Sequence, residues 1–190
     1  MVSRSLKISC ILLWLLSGLV RGELQLNPQT SEYEVEGFKF RRLVFFDGAR
    51  RITYAPPVGW DYVGHVDRIT LRPPHNGEAE AVITRKSLAD PAPFDQEGVK
   101  RLTEQALASL PEGSSSVAIV SQEKNPVIIE GKETFLLVLN YKQGGTLRSR
   151  SILFLNRNRE QLQFQLICNR AQFPELQRAF QASHFSWQNL

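Results

Sequence analysis

The clearest alternation of apolar and polar residues lies in the second half of the chain. Three apolar-rich segments, residues 134–142, 146–156 and 161–169, follow one another there. Gln143-Gly-Gly145 separates the first two, and Arg157-Asn-Arg-Glu160 separates the last two. Short polar or glycine-containing links between such segments are typical of β-hairpins. The pattern predicts three consecutive antiparallel strands.

The spacing also predicts which faces of these strands are buried. In the last strand, Leu162, Phe164 and Leu166 share one face with Cys168, while glutamines occupy most of the other. This alternation predicts one buried face and one largely hydrated face. Residues 136–139, Leu-Leu-Val-Leu, are apolar at both parities, which favours a central strand covered on both faces.

The first half of the chain predicts shorter strands after a polar start. Residues 23–37 are polar without a sustained period, so we predict a flexible N-terminal extension there. The strand-like segments that follow are bounded by turn signals such as Asp47-Gly48. These segments are residues 38–46, 52–54, 68–72 and 79–84.

Two helices complete the predicted elements. Asp95 is a good N-cap because its carboxylate accepts from the free N–H groups of a first turn. Val99, Leu102 and Ala106 then recur at three- and four-residue steps, which indicates a helix with one apolar stripe. A second helix begins near Pro174, since proline is favoured at the first helical position. The elements predict an α+β fold in which a single antiparallel β-sheet has helices packed on its faces.

The first 22 residues differ in composition from the rest of the chain. Arg4 and Lys7 precede an apolar run from Ile8 to Val20, and Gly22 provides a small residue at a cleavage position. This arrangement predicts a secretory signal peptide over residues 1–22. The alternative is a membrane anchor, but a span needs about 20 apolar residues. We therefore expect an exported, periplasmic or secreted protein with a single domain over residues 38–190.

Charge and cysteine content narrow the classes of function. The predicted signal peptide carries Arg4, Lys7 and Arg21 and no acidic residue, so the 23 basic residues fall to 20 against 19 acidic ones. The formal charge falls from +4 to +1, without the basic excess typical of nucleic-acid binders. Of the two cysteines, Cys10 lies in the signal peptide, so Cys168 has no intrachain partner and is predicted to be an inert buried thiol.

Candidate catalytic residues are few and scattered. His65 lies close in sequence to Asp61 and Asp67, and His75 follows ten residues later. A divalent metal or a hydrolase could use such residues, but their spacing matches no compact ligand motif. We predict no metal, no cofactor and no catalytic residues. His184 lies at the C-terminal end of its helix, where a partial positive charge would be favourable.

Two features are candidates for binding. The segment Tyr54-Ala-Pro-Pro-Val-Gly-Trp60 is mainly a structural corner, because prolines end strand pairing. Its aromatic neighbours could still form a recognition loop with Trp60, Tyr62 and His65 exposed. Two hairpins also carry arginines, including Arg148 and Arg150. These arginines could meet an acidic protein or a membrane surface, unless acidic residues neutralise them across the strands.

The order of elements resembles the PsbP/DcrB-like family over residues 38–187. The residues that carry the resemblance are Pro57-Val-Gly-Trp60 and Phe180-Gln-Ala-Ser-His-Phe185. The resemblance implies an α/β/α sandwich and a non-catalytic role in assembly or binding. No metal-site motif of the family maps onto this chain, so no ligands are carried over.

Two hypotheses of function follow. The first is an exported, non-catalytic module that binds a protein or another envelope component. The alternative is a small secreted hydrolase or metal-dependent enzyme that uses His65 or His75 with a carboxylate.

Overall fold

The structure is a computed structural model that describes residues 23–190, with the side chains of residues 35, 38 and 39 left out. The predicted signal peptide lies outside the described residues. The described chain is mostly β with two helices. Its elements are β1 (Leu24–Val35), β2 (Phe38–Asp47), β3 (Arg50–Tyr54), β4 (Asp61–Gly64), β5 (Arg68–Arg72), β6 (Glu80–Ser87), α1 (Gln96–Ala108), β7 (Ser115–Lys124), β8 (Thr134–Gln143), β9 (Thr146–Arg157), β10 (Glu160–Asn169), α2 (Phe173–His184) and β11 (Gln188–Asn189).

The strands form two antiparallel sheets, so the prediction of a single sheet is wrong. One sheet has the order β1-β2-β3-β11, and the other has the order β4-β5-β6-β10-β9-β8-β7. The chain leaves the first sheet at Tyr54 and enters the second at Asp61. Pro56 and Pro57 lie between them and cannot donate ladder hydrogen bonds, so pairing stops there. Alternation of side chains does not show which sheet a strand joins, because both kinds of strand have the same period.

Two apolar cores lie on opposite faces of the seven-stranded sheet. The larger core joins both sheets and α2, and the smaller one lies under α1. Strand β8 contributes Leu136 and Val138 to the larger core and Leu137 and Leu139 to the smaller one. The predicted burial of this strand on both faces is confirmed.

The predicted N-terminal extension is instead largely strand. Leu24 and Leu26 are fully buried in the larger core, and β1 pairs with β2 along most of its length. The sequence signal is weak because only these two leucines alternate before the polar residues begin. Among the described residues, no helix is both long and apolar enough to cross a membrane.

The face of β10 predicted to be hydrated is mostly covered. Gln161 and Gln163 are buried, and the Gln163 amide donates to Gln161 Oε1. Gln161 in turn donates to Asn156, whose side-chain amide donates to the Ala92 carbonyl in the loop before α1. Since each amide group finds a partner, the loop can cover this polar row without a large desolvation cost.

Both predicted helices are present, with the predicted starts. The Asp95 carboxylate accepts a hydrogen bond of 2.8 Å from the Gly98 N–H, which confirms its role as N-cap of α1. Pro174 lies in the first turn of α2. Leu102 and Ala106 form the buried stripe of α1, and Phe180 is the most deeply buried aromatic residue of α2.

A buried ion cluster joins the two sheets. The Arg157 guanidinium contacts Asp47 of the four-stranded sheet at 2.6 Å, Glu130 at 3.1 Å and Glu160 at 2.5 Å. The Glu130 carboxylate also accepts a hydrogen bond from the Trp187 indole. The two arginine-bearing hairpins therefore meet through opposite charges at this point, as cross-strand neutralisation predicts.

Candidate functional site

The aromatic residues of the predicted recognition loop, Trp60 and Tyr62, contact other parts of the protein. Trp60 stacks on Phe180 of α2, with ring centroids 6.2 Å apart and an angle of 8° between the planes. The Tyr62 hydroxyl hydrogen-bonds to the Thr30 hydroxyl of β1. Both side chains are half-buried. The corner therefore closes one end of the core, and binding through these two residues remains a prediction.

The residues of the alternative enzyme hypothesis lie on the surface. His65, His75, Asp61 and Asp67 are all exposed. Within residues 23–190, no group of three or more histidine, cysteine, aspartate or glutamate residues is arranged to hold a metal ion. The structure therefore adds no geometric support for a metal-dependent hydrolase at these residues.

The two predicted arginines differ in environment. Arg150 is buried and donates to the Ala106 and Ser109 carbonyls at the C-terminal end of α1, at 3.4 and 3.3 Å. A cation is favourable there because the last carbonyls of a helix are otherwise unpaired. Arg148 is partly exposed and lies 3.8 Å from Glu78. Arg150 thus lies on the α1 side of the seven-stranded sheet, whereas Trp60 packs on the α2 side.

Cys168 is fully buried in the larger core. Burial raises the pKa of its thiol to about 11, so the nucleophilic thiolate is scarce at neutral pH. The interpretation of Cys168 as an inert core residue is confirmed by its position.

The outer edge of the seven-stranded sheet at β7 is open to solvent. This strand has ten residues, and nine of them are exposed. The Asn125 N–H, just after the strand, donates to the Thr134 carbonyl at 2.8 Å. Since hydrogen-bonding directions alternate along an antiparallel strand, the main-chain groups of Gln122 and Lys124 point away from β8. Within residues 23–190 no strand pairs with this edge, so its outward donors and acceptors are available to a further strand.

Exposed aliphatic side chains follow the same strand. Val117, Ile119 and Val120 have exposed fractions of 43%, 47% and 55%. Ile128, in the loop after β7, and Phe185, at the end of α2, are exposed as well. A long edge strand with apolar side chains is a template for pairing with another chain.

A concave surface lies on each face of this edge strand. On the α1 side, a groove of about 320 Å³ runs between the helix and Gln122, whose amide donates to the Thr103 hydroxyl at 2.8 Å. On the α2 side, a cleft of about 270 Å³ lies beside Glu123, the next residue along the strand. Successive residues of β7 therefore border different concave surfaces, as the alternation of a strand requires.

The cleft on the α2 side is formed by both apolar and polar residues; we call it the His184 cleft. Leu136 and Leu153, which are opposite each other in the pairing of β8 and β9, contribute to its lining. Its other lining residues are Glu123, Pro126, Val127, Gln181, His184 and Phe185. Leu136, Leu153 and His184 are at most 3% exposed. The cleft therefore reaches down to the apolar core.

The position of His184 at the C-terminal end of α2 does not make its imidazole charged. The ring is buried, and this burial lowers the pKa of its imidazole to about 3. His184 is therefore neutral at physiological pH, and desolvation outweighs the favourable position at the end of a helix.

The sequence contained signals for both parts of this site. The β-branched run Val117-Ala-Ile-Val120, bounded by Gly113 and Asn125, is a strand signal that we did not assign. His184 follows Phe180 by four residues, so it continues the apolar stripe of α2.

Comparison with solved structures shows the fold of this chain. No family model matches the chain, and no curated protein matches it. Among solved structures, the cyanobacterial PsbP (CyanoP) from Synechocystis sp. PCC 6803 is similar, with a TM-score of 0.56 and 11% identity. The alignment covers 91% of this chain and 96% of CyanoP. The chain thus has a PsbP-like fold, and the resemblance seen in the sequence is confirmed at that level.

Two other solved structures are also similar. The Ran-binding protein Mog1p from Saccharomyces cerevisiae has a TM-score of 0.52 and 9% identity, over 85% of this chain and 95% of Mog1p. The protein PA94 from Pseudomonas aeruginosa, whose function is unknown, has a TM-score of 0.47 and 18% identity, over 81% of this chain and 92% of PA94.

Proposed function

We propose that this protein is a non-catalytic binding module that takes an extended segment of a partner protein along the edge of β7. The observation that carries the proposal is the open ten-residue edge, with Val117, Ile119 and Val120 exposed on it. In strand addition, main-chain hydrogen bonds provide affinity and pockets on alternate faces provide specificity. The groove on the α1 side and the His184 cleft supply concave surfaces on both faces.

A flexible partner segment fits this edge better than a second copy of the chain. The pairing of β7 with β8 is irregular between Ser115 and Ala118 and again between Ile119 and Ser121. Such bulges bend a strand and protect it from pairing with a rigid edge. Two bulged strands would have to match each other over their full length, whereas a flexible segment can follow one of them.

Two observations support the proposed partner and the proposed compartment. Mog1p is named for binding Ran, which supports a protein partner for this fold. The predicted signal peptide over residues 1–22 supports an envelope or extracellular partner, and we propose that the protein works after export.

The edge can be tested with a pair of lysine variants. Val120→Lys adds a charge to the open edge, and Val58→Lys makes the same change at a valine that is 98% exposed on the corner loop. Peptides selected on the wild-type protein from a displayed random library are measured against all three proteins by isothermal titration calorimetry. We expect at least tenfold weaker binding to Val120→Lys and unchanged binding to Val58→Lys.

The position of the bound peptide provides a second check. We expect cross-strand nuclear Overhauser effects between the peptide and residues 117–124. Equal affinity for all three proteins would contradict strand addition at β7. Sedimentation showing a dimer that Val120→Lys dissociates would instead assign the edge to a second copy.

A further inference from the structure

The His184 imidazole has an unusual environment for a core residue. It is 3% exposed, and its Nε2 atom is buried without a hydrogen-bond partner among the described residues. Buried polar atoms in native proteins nearly always have a partner, and an exception calls for an explanation such as water or a ligand. His184 is one of the residues that line the His184 cleft, so a partner bound there lies beside its side chain.

The ring is held where it is by aromatic neighbours. Phe180 lies edge-on to it at a centroid distance of 4.7 Å, and Phe164 is tilted against it at 5.0 Å. Such contacts fix the orientation of a ring within a packed core. The imidazole is therefore held in this orientation, and the His184 cleft is the concave surface beside it.

The lining limits the chemistry of that partner. Leu136, Leu153 and Val127 provide apolar surface, which favours a hydrophobic body. The Glu123 carboxylate at the cleft disfavours an anion. A volume of about 270 Å³ is below the usual range for sites of drug-sized ligands, which suits a group the size of one side chain.

A hydroxyl group suits a neutral imidazole in either of its tautomers. One ring nitrogen of a neutral histidine is a donor and the other is an acceptor, whereas a hydroxyl can both donate and accept. A carbonyl could only accept and an ammonium group could only donate. A hydroxyl can therefore pair with Nε2 whichever nitrogen carries the proton.

We propose that the His184 cleft binds a neutral, phenol-like group, and that the side chains around the cleft shift so that its ring packs against Leu136 and Leu153 and its hydroxyl pairs with His184 Nε2. The group is a free small phenol or the side chain of a tyrosine. The inference goes beyond strand addition, because it concerns the cleft and not the main chain of β7.

The test compares two probes that differ only in the hydroxyl. Para-cresol and toluene are titrated into the ¹⁵N-labelled protein, and dissociation constants are obtained from chemical shifts of residues around the cleft. We expect para-cresol to bind about three- to tenfold more tightly than toluene, the range expected for one neutral hydrogen bond. The ¹⁵N shifts of the His184 imidazole should move with para-cresol and not with toluene.

Matched variants separate the hydrogen bond from the shape of the cleft. His184→Phe keeps a ring in the stripe of α2 and removes both nitrogens, so the preference for para-cresol should disappear. His65→Phe makes the same change at an exposed imidazole outside the cleft, and the preference should persist. Equal affinities of the two probes for the wild-type protein, or a preference that survives His184→Phe, would overturn the proposal. If His184→Phe does not fold, the wild-type affinities and imidazole shifts decide it.

A second pair of probes identifies the source of the phenol. N-acetyltyrosine amide and N-acetylphenylalanine amide carry the same two rings with a peptide backbone attached. Selective binding of the tyrosine amide supports a tyrosine from a partner, whereas binding of para-cresol without the amide supports a free small molecule. Unchanged para-cresol binding in Val120→Lys would show that the cleft acts even if strand addition at β7 fails.

Discussion

The two edges of the seven-stranded sheet are built differently. At one edge, β4 has four residues, and β1 lies against it: the Leu26 N–H donates to the Val66 carbonyl at 2.9 Å, just beyond β4. Gly64 allows this close approach, since a Cβ there would lie 2.4 Å from Pro28 Cδ and 2.9 Å from the Leu26 carbonyl oxygen. At the other edge, β7 has ten residues and no described segment pairs with its outer side.

Exposed apolar side chains do not distinguish these edges. Val63 and Val66, beside the covered edge, are 57% and 59% exposed, and Val120 on the open edge is 55% exposed. The difference lies in the main chain, because the β4 edge is short and has a neighbour, whereas β7 keeps free donors and acceptors. Availability of main-chain groups is therefore a better guide to a strand-binding site than hydrophobicity alone.

The largest effect on stability is expected at the ion cluster that anchors the loop after β7. Arg157→Leu would leave Asp47, Glu130 and Glu160 close together without their cation. We expect a loss of about 3–5 kcal/mol in the free energy of unfolding, measured with urea. Arg159→Leu, at an exposed position of the same hairpin, should change it by less than about 0.5 kcal/mol. A loss below about 1 kcal/mol for Arg157→Leu would show that the ion cluster contributes little to stability.

The covered edge can be opened by one methyl group. Gly64→Ala places a Cβ against Pro28 and the Leu26 main chain, so β1 has to move. We expect the free energy of unfolding to fall by about 1–3 kcal/mol and hydrogen exchange at the Leu26 amide to become faster. Gly77→Ala is the control, because a Cβ there meets nothing within 4 Å. If the two alanine variants are equally stable, β1 does not hold this edge closed.

The buried imidazole of His184, beside the open edge, predicts that the free energy of unfolding depends on pH. The folded-state pKa of His184 is about 3, below its ordinary value of 6.5, so the unfolded chain binds a proton that the folded protein does not. Stability contributed by this group is complete above pH 6.5 and falls by up to about 1.4 kcal/mol per unit as the pH decreases toward 3. Between pH 7 and 5, wild type should lose about 1–2 kcal/mol more than His184→Phe. If the free energies of unfolding of the two proteins change in parallel with pH, a buried neutral imidazole is contradicted.

The smallest effect on stability is expected at the open edge itself. Val120→Lys should change the free energy of unfolding by less than about 0.5 kcal/mol, because its side chain is largely exposed. Hydrogen exchange should show the Gln122 and Lys124 amides exchanging much faster than the Leu26 amide. Strong protection of Gln122 and Lys124 in the isolated monomer would mean that the edge is already covered.

Much of the fold follows from local pattern. The three strands β8, β9 and β10 and the start of each helix were predicted within a few residues, because strong alternation, turn residues and caps act over short distances. Strand β7 was missed because bulges break its alternation, and β1 was missed because its outer face is polar along most of its length.

The candidate site depends on contacts that no local pattern contains. Arg150 is a candidate binding residue of an arginine-bearing hairpin, yet the end of α1 covers it. The sequence leaves open which carboxylates neutralise the arginines of the two hairpins, and the fold brings Asp47, Glu130 and Glu160 to Arg157. His184 acquires its environment from Phe164, which is 20 residues away in sequence.

Local patterns in the sequence were sufficient to predict the periods of the strands, the caps of the helices, the burial of Cys168 and the PsbP-like order of elements. These depend on the steric and hydrogen-bonding preferences of residues close together in the chain. The folded molecule was needed to show that the strands divide into two sheets, that β4 is covered while β7 is open, and that His184 is neutral. Those properties depend on contacts between segments that are distant in sequence. Such contacts decide which strand edges and which side chains are shielded from water, and they form only when the chain packs.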